Sequence, residues 1–355
     1  MGKHEVPVMR LLVIVFLAGC SVGGFGAQAT PQALVPRSAR LAEGTSYLYV
    51  ANVGSNSVTV YVPGQSKPVR TVTKGLRYPV ALAFDQSSDL YVASLGTYKY
   101  GQYHNESVTE YAAGTTSLLR RITAGIYSPA SVGLDSSDNL YVLNSLPFKS
   151  NPPRVLVFAG GKLIRSITNS IVNPVVMALD SSNNLYVANA ASNAITVYGF
   201  GQGTPFRTIT TGINEPTALT LDGSSNVYVG NRLGGQNNMG TVTEYAAGSD
   251  PTRTIVNGIF VPVALAVDNS ANLYVANAGG GSGVGSITEY PPGRTTASRT
   301  ITQGIFDPVA LATDGKGNLY VANDASVTEY APGKTSPQWT ISNLNGPRAL
   351  AFAPH

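Results

Sequence analysis

Short runs in which apolar and polar residues alternate fill the chain from about residue 46 to its end. The tripeptide Leu/Val-Tyr-Val returns seven times, at Leu48, Leu90, Leu140, Leu185, Val227, Leu273 and Leu319. Three further runs follow each copy, such as those at 58–61, 70–73 and 79–84, and Gly-, Pro-, Asn- or Asp-rich turns separate them. Runs rich in β-branched and aromatic residues between such turns predict β-strands.

This repeat predicts a radial, all-β fold. Each unit contains four predicted strands, and a four-stranded antiparallel sheet repeated around an axis forms the blade of a β-propeller. Seven copies therefore predict a seven-bladed β-propeller of four-stranded blades over residues 46–355. We expect one domain, because every repeat buries its faces against its neighbours.

The phase of the repeat predicts how the ring closes. Strands are labelled a to d from the propeller axis outward. The chain enters at a b strand (48–52) and ends after an a strand (348–352). We expect the C-terminal strand a to join the N-terminal strands b to d in one sheet, which removes an open edge.

The pattern P-x-A-L-A-x-D, N-L-Y-V-A-N and N-x-V-T-V-Y resembles NHL-type propeller repeats, with some similarity to YVTN-type repeats. The resemblance covers about residues 46–355. Asn mostly stands where the family pattern has Asp after the Tyr-Val-Ala strand, which lowers the charge and keeps a side chain that bonds nearby backbone. The resemblance implies the fold and leaves the function open, because such propellers include enzymes and binding scaffolds.

Loop variation distinguishes the two faces of the predicted propeller. The a–b turns are nearly uniform, as in Asp135-Ser-Ser-Asp and Asp180-Ser-Ser-Asn, whereas the b–c loops vary between the extremes 324–326 and 95–107. The d–a connections open on the same face as the b–c loops. Since function concentrates in loops that diverge, we predict a ligand site on this b–c/d–a face.

Candidate ligand-binding residues lie in the b–c loops and d–a connections. They combine flat rings, hydroxyl groups and cations, which are typical of sites for peptides or glycans. The set is Tyr98, Tyr100, Tyr103, His104, Arg77, Tyr78, Tyr127 and Arg232. An alternative interpretation is that these rings only cover the tops of neighbouring blades.

An enzymatic alternative rests on the resemblance. Propeller lactonases of the gluconolactonase group hold a central divalent ion with carboxylates and Asn, and Asn173, Glu215 and Asp307 could ligate Ca²⁺ or another divalent cation here. The predicted a strands contain no carboxylate or His, and only His104 and His355 follow residue 20. We therefore expect a non-catalytic binding propeller without a cofactor, with a metal-dependent lactonase or related hydrolase as the alternative.

The first 45 residues predict export and attachment to the cell envelope. The eight apolar residues at 11–18 are too few to span a bilayer and are typical of a signal peptide. Leu17-Ala18-Gly19-Cys20 resembles a bacterial lipobox, so residues 1–20 form the predicted lipoprotein signal and Cys20 the lipidation site. Ser21 then implies outer-membrane delivery by the Gram-negative sorting rule. The alternative is a secreted protein cut near Ala27 or Ala29, and residues 21–45 predict a flexible tether.

Composition narrows the class of partner. Charged residues make up 12% of the chain, the formal net charge is +4, and the basic residues are scattered singly. A nucleic-acid site would need them clustered, so we expect no nucleic-acid partner. A single Cys excludes a disulfide scaffold. We expect an unknown protein, peptide or glycan partner at the cell surface, with membrane contact through the lipid anchor only.

Two polar repeats predict framework contacts rather than a site. An Asp begins six of the a–b turns, where its side chain bonds the turn backbone. Glu residues on c strands, at 110, 244, 289 and 329, face the row of Arg residues on d strands and predict cross-strand ion pairs. Trp339 takes the place of the Arg in the last repeat.

Overall fold

The computed structural model describes residues 46–99, 102–146, 152–246, 250–278 and 284–353. These ranges form seven four-stranded antiparallel sheets and one additional hairpin, which confirms the predicted seven-bladed propeller. A single-turn 3₁₀ segment, Gln236–Asn238, interrupts one b–c loop. Within these ranges, no helix is long and apolar enough to cross a membrane. The predicted signal peptide, Cys20 and the tether lie outside the described residues.

Every sheet follows the strand order a, b, c, d. For blades 1 to 7, the a strands are Pro347–Phe352, Pro79–Phe84, Pro129–Leu134, Pro174–Leu179, Pro216–Leu221, Pro262–Val267 and Ala310–Thr313. The b strands are Leu48–Asn52, Leu90–Ser94, Leu140–Asn144, Leu185–Asn189, Val227–Asn231, Leu273–Asn277 and Leu319–Ala322. The c strands are Ser57–Tyr61, Ser107–Tyr111, Arg154–Ala159, Ala194–Tyr198, Thr241–Tyr245, Ser286–Tyr290 and Val327–Tyr330. The d strands are Arg70–Val72, Leu118–Ile122, Lys162–Ile167, Arg207–Ile209, Pro251–Ile255, Arg299–Ile301 and Trp339–Ile341.

Blade 1 closes the ring as the phase of the repeat predicted. Its C-terminal strand a pairs antiparallel with strand b, with Leu48 opposite Phe352. Beyond the sheet, the Gly54 N–H donates to the Asn345 carbonyl at 2.9 Å. A Cβ on Gly54 would lie 2.0 Å from Asn345 Oδ1, so a larger residue at this joint would displace the Asn345 side chain.

Packing between blades forms the core. The b strands are buried along their whole length, as in the Leu-Tyr-Val-Ala-Asn segments of blades 1, 4 and 6. In blades 2 and 4 to 7 the tyrosine at the end of strand c is fully buried, and its hydroxyl donates to a carbonyl in the preceding d–a connection. Examples are Tyr198 to Asn169 at 2.5 Å and Tyr245 to Thr211 at 2.6 Å. These tyrosine hydrogen bonds therefore link each of these blades to the connection from the preceding blade.

The a–b turns repeat one hydrogen-bond network. Asp222 Oδ1 accepts from the backbone N–H groups of Ser224 and Asn226, both at 2.9 Å. Its Oδ2 accepts from Asn226 Nδ2 at 2.8 Å and from the Tyr228 hydroxyl at 3.2 Å. Blades 3, 4, 6 and 7 repeat these contacts around Asp135, Asp180, Asp268 and Asp314. The interpretation of this Asp as structural is confirmed.

The predicted Glu–Arg pairs form in blades 2, 5 and 6. Arg120 Nε lies 3.2 Å from Glu110 Oε2 as an ion pair, and Arg299 bonds Glu289 at 2.5 Å, with Arg253 and Glu244 also paired. Blade 7 departs from this rule, because Trp339 stands opposite Glu329 and packs edge-on against Tyr61. Glu329 is 2% exposed, and burial followed by the nearby Asp314 charge raises its pKa. For this residue the predicted ion pair is wrong.

Candidate functional site

The d–a connections are held in place by the Asn that follows the Tyr-Val-Ala segment of strand b. Asn277 Oδ1 accepts from the Phe260 N–H at 2.9 Å, while its Nδ2 donates to the Gly258 carbonyl at 3.1 Å. Asn144, Asn231 and Asn323 make the same two bonds. An ionised Asp could only accept. In these four blades the Asn therefore does more than lower the charge, because one side chain gives the connection both a donor and an acceptor.

Each connection ends on a residue in the left-handed backbone region, directly before the proline that leads into strand a. We call these seven residues the inner ring. They are Tyr78 (φ 53°), Ser128 (41°), Asn173 (48°), Glu215 (46°), Val261 (47°), Asp307 (45°) and Gly346 (65°). This conformation costs about 1–2 kcal/mol for a residue with a Cβ, and Gly adopts it freely.

The inner ring presents different side chains on one repeated backbone. Only blade 1 has Gly there, and the other six positions keep a phenol, a hydroxyl, an amide, two carboxylates and an isopropyl group. The b–c loop of the preceding blade supports some of them. Asn56 Oδ1 accepts from the Tyr78 N–H at 2.8 Å, and Asn193 Oδ1 accepts from the Glu215 N–H at 2.7 Å. The two kinds of loop on this face thus form one connected surface.

Three predicted ligand residues meet at blade 2. Tyr98 and Tyr103 are partners in a hairpin formed by Thr97–Lys99 and Gln102–His104, where the sequence predicted only a flexible loop. Their ring centroids are 5.1 Å apart, and the Tyr103 ring lies 5.8 Å from that of Tyr78, both pairs edge to face. We call Tyr78, Tyr98 and Tyr103 the tyrosine cluster. Tyr100 lies outside the described residues.

The hairpin carrying the tyrosine cluster is fixed at its base. The Leu95 and Gly96 N–H groups donate to the Tyr78 and Arg77 carbonyls, both at 3.0 Å. A Cβ on Gly96 (φ 83°) would lie 2.1 Å from the His104 carbonyl oxygen, so the hairpin needs glycine there. Tyr103 is half-buried, and burial followed by the neighbouring tyrosines raises its pKa. Tyr98 remains 42% exposed, so the cluster offers a supported aromatic surface to solvent.

The other predicted ligand residues have different surroundings. Arg77 and His104 are exposed beside the tyrosine cluster. Tyr127 is 7% exposed, with its ring under the Arg154 guanidinium and its hydroxyl donating to the Pro152 carbonyl. Arg232 is exposed and bonds Glu215 at 3.1 Å. The structure therefore brings Arg77 and His104 to the tyrosine cluster and places Tyr127 and Arg232 in contacts of their own.

Sequence analysis missed Glu106, which lies at the base of the same hairpin. Burial raises the pKa of this carboxyl, while the Ser128 backbone N–H and the His104 side chain oppose the shift. Glu106 thus joins the hairpin to the inner ring of blade 3. The sequence feature that could have indicated Glu106 as a site residue is its position in the longest b–c loop, two residues after His104.

The three residues of the metal alternative lie on three different blades, and one of them already has a cationic partner. Asn173, Glu215 and Asp307 precede the a strands of blades 4, 5 and 7. Glu215 pairs with Arg232, whose guanidinium repels a second cation. Over the residues that the structure describes, no three His, Cys, Asp or Glu side chains are grouped as metal ligands.

A groove between blades 5 and 6 was not predicted. It has a volume of about 430 Å³ and is lined by neutral groups, including Asn237, Met239, Phe260 and Thr288. Met239 is 40% exposed and Phe260 37% exposed. The long b–c loop of blade 5 covers one side of the groove, so the groove belongs to the same face as the tyrosine cluster.

Comparisons with known proteins support the fold only. No family model matches the chain, and no curated protein matches it. Among solved structures, a functionally unknown protein from Desulfotomaculum acetoxidans DSM 771 matches with a TM-score of 0.67 at 13% identity. The match covers 87% of this chain and 99% of that one. At this identity the likeness shows the propeller architecture, and the site must be argued from its own residues.

Proposed function

We propose that this protein is a non-catalytic propeller that binds a protein, peptide or glycan on its b–c/d–a face. One observation carries the proposal: six inner-ring positions keep chemically different side chains at positive φ, where glycine would relieve backbone strain. Strained residues that are maintained in a fold cluster at functional sites. The tyrosine cluster next to this ring supplies the aromatic contact surface, as the paratopes of binding proteins do.

Attachment to the cell envelope is part of the same proposal. The lipobox-like Leu17-Ala18-Gly19-Cys20 gives an acylated Cys20, with residues 21–45 as the tether and the outer membrane as the destination. The repeat is proposed to be of the NHL type. A radioactive palmitate label on the wild-type chain, absent from Cys20→Ala, tests the anchor; equal labelling of both would contradict it.

Affinity capture tests the ligand face. Immobilised wild-type protein, Tyr98→Ala and Lys316→Ala are incubated with a detergent extract of the native cell envelope. Tyr98 is the most exposed tyrosine of the cluster, and Lys316 is exposed on an a–b turn of the opposite face. We expect wild type and Lys316→Ala to retain the same envelope component and Tyr98→Ala to retain at least tenfold less, since interface aromatics contribute about 2 kcal/mol or more.

Point variants suit this test better than removal of the hairpin. Tyr103 packs against the core cluster shared by blades 2 and 3, so deletion of 97–105 would disturb packing as well as the surface. Equal retention by Tyr98→Ala and wild type, with matching thermal stability, would contradict the proposal. Loss of retention in Lys316→Ala alone would indicate that the ligand site lies on the a–b face.

A further inference from the structure

One repeated position on the outer edge of the propeller carries exposed apolar side chains. It is the residue directly before the d-strand Arg, or before Trp339 in blade 7, and we call it the edge position. From blade 1 to blade 7 its occupants are Val69, Leu119, Ile164, Phe206, Thr252, Ser298 and Gln338. Its backbone N–H donates to strand c in the same way at Val69, Phe206, Ser298 and Gln338, so the positions are equivalent.

The chemistry of the edge position changes halfway around the ring. In blades 1 to 4 the side chain is apolar, and its exposed fraction is 49% for Val69, 52% for Leu119 and Ile164, and 65% for Phe206. Blades 5 to 7 carry Thr, Ser and Gln, which are also exposed. Because three blades form the same backbone with polar residues, the fold does not require apolar groups there. Contiguous exposed apolar residues mark interaction sites.

Further exposed apolar residues lie near these positions in blades 3 and 4. Leu163 and Phe200 add side chains that are 45% and 50% exposed. The c–d turn of blade 3 packs against blade 2, since a Cβ on Gly161 would lie 2.5 Å from Arg120. Gly201 of blade 4 faces Arg165 of blade 3 in the same arrangement. We define the apolar edge as these exposed apolar side chains of blades 2 to 4: Leu119, Leu163, Ile164, Phe200 and Phe206.

Basic residues outnumber acidic ones beside the apolar edge. The outer segments of blades 2 to 4 (112–122, 159–168 and 199–210) contain five cations, namely Arg120, Arg121, Lys162, Arg165 and Arg207, and no Asp or Glu of their own, while Asp89 accepts from the Ala113 N–H at 2.7 Å. Glu110 pairs with Arg120, and in the strand pairing Arg165 and Arg207 lie in register with Val157 and Val197. Cations beside bulky apolar groups fit a bilayer surface, where headgroup phosphates attract the cations and the apolar groups enter the acyl boundary.

We propose that the apolar edge docks directly on a bilayer surface that contains anionic phospholipid. This inference rests on the proposed lipid anchor and extends it, because the sequence predicted membrane contact through the anchor only. The 26 residue steps from Cys20 to Ser46 span at most about 90 Å, so the anchor and the edge can meet one bilayer. Edge-on docking leaves the b–c/d–a face open to its ligand.

Vesicle co-sedimentation tests the docking. Residues 21–355 are used, since they contain the whole closed ring without the apolar signal segment or Cys20. Vesicles are phosphatidylcholine alone or with about one third phosphatidylglycerol. We expect wild type to sediment with the anionic vesicles, and increasingly less as salt is added. The variant Leu119→Thr/Ile164→Thr/Phe206→Ser, which takes residues that blades 5 and 6 already use, should partition at least tenfold less.

A matched variant removes exposed apolar groups from another surface. Phe260→Ser/Phe306→Ser changes rings that are 37% and 55% exposed on the b–c/d–a face, and it should partition like wild type. Equal binding of wild type to both vesicle types would overturn the inference, as would unchanged binding by the edge variant. A wild-type dimer that the edge variant abolishes, without vesicle binding, would overturn it in favour of a second copy. Envelope capture through Tyr98 is independent of all these outcomes.

Discussion

The two faces of the propeller repeat in different ways. On the a–b face the side chains repeat together with the backbone, so Asp180, Asp222 and Asp268 make the same four bonds. On the b–c/d–a face the backbone also repeats, with φ between 41° and 65° at all seven inner-ring positions, but the side chains differ. Repeated side chains are typical of framework, whereas varied side chains on a strained, repeated backbone support the proposed ligand face.

The largest effect is expected at the joint that holds both faces together. A chain that ends at Asn345 lacks strand a of blade 1, so strand b loses its partner and the ring has an open edge. We expect loss of the cooperative thermal transition, measured by circular dichroism. Removal of only Pro354 and His355 is the control and should leave the melting curve unchanged. A cooperative, wild-type melt for the shorter chain would show that closure through blade 1 is not required.

A framework substitution should change stability without affecting binding. Asp222→Ala removes four hydrogen bonds and leaves the Tyr228 hydroxyl, Asn226 and two backbone N–H groups without this acceptor. We expect the free energy of unfolding to fall by about 2–4 kcal/mol. Denaturant melts measure this loss, and envelope capture by the folded variant should equal that of wild type. Reduced capture with unchanged stability would place function on the a–b face.

Blade 7 has Trp339 in place of the Arg that pairs with Glu in other blades, so it tests what the Glu–Arg pair contributes. The pKa of buried Glu329 is raised above its ordinary value of 4.5, so its ionised form destabilises the folded state at neutral pH. We expect Glu329→Gln to stabilise the protein at pH 7, by about 1 kcal/mol. This gain should decrease as pH falls and vanish below about 4.5, where Glu329 is protonated in both folded and unfolded chains.

The sign of this effect should reverse when an arginine is restored. Trp339→Arg recreates the Glu–Arg pair of blade 6, so Glu329→Gln in that background should destabilise the protein at pH 7. Glu289→Gln in blade 6 is the matched control and should also destabilise, because it breaks an existing ion pair. Denaturant melts at pH 4 and pH 7 distinguish these cases. Loss of stability in the single Glu329→Gln variant at pH 7 would contradict the account of the buried charge.

The smallest effect is expected within the inner ring. Val261 is β-branched and has a φ of 47°, so Val261→Gly relieves strain and at the same time increases the entropy of the unfolded chain. The two terms nearly cancel, and we expect a stability change between zero and a gain of about 1 kcal/mol. Gly212→Val, at φ 75°, is the opposite control and should destabilise. A loss above about 1 kcal/mol in Val261→Gly would mean that the side chain is needed for packing.

Much of the fold could be predicted because the same sequence pattern recurs in seven repeats. Strand order, ring closure and the structural Asp all follow from the repeat, and each is confirmed. The inner-ring strain could not be predicted, since a residue before proline ordinarily favours extended backbone and the sequence does not reveal the loop bonds to the Tyr78 and Glu215 N–H groups. The hairpin at Thr97–Lys99 and Gln102–His104 occurs once, so no second copy signals it, whereas the missing Arg partner of Glu329 was visible as Trp339 in the last repeat.

Photo-cross-linking tests most directly whether the ligand lies on the b–c/d–a face. Residues 21–355 contain no Cys, so Lys99→Cys and Ser87→Cys each create one attachment point for a maleimide–benzophenone probe, on opposite faces of blade 2. Irradiation in native envelope extract should give a discrete adduct from the Lys99→Cys protein and none from the Ser87→Cys protein. The reverse pattern, with the adduct only at Ser87→Cys, would contradict the proposed site.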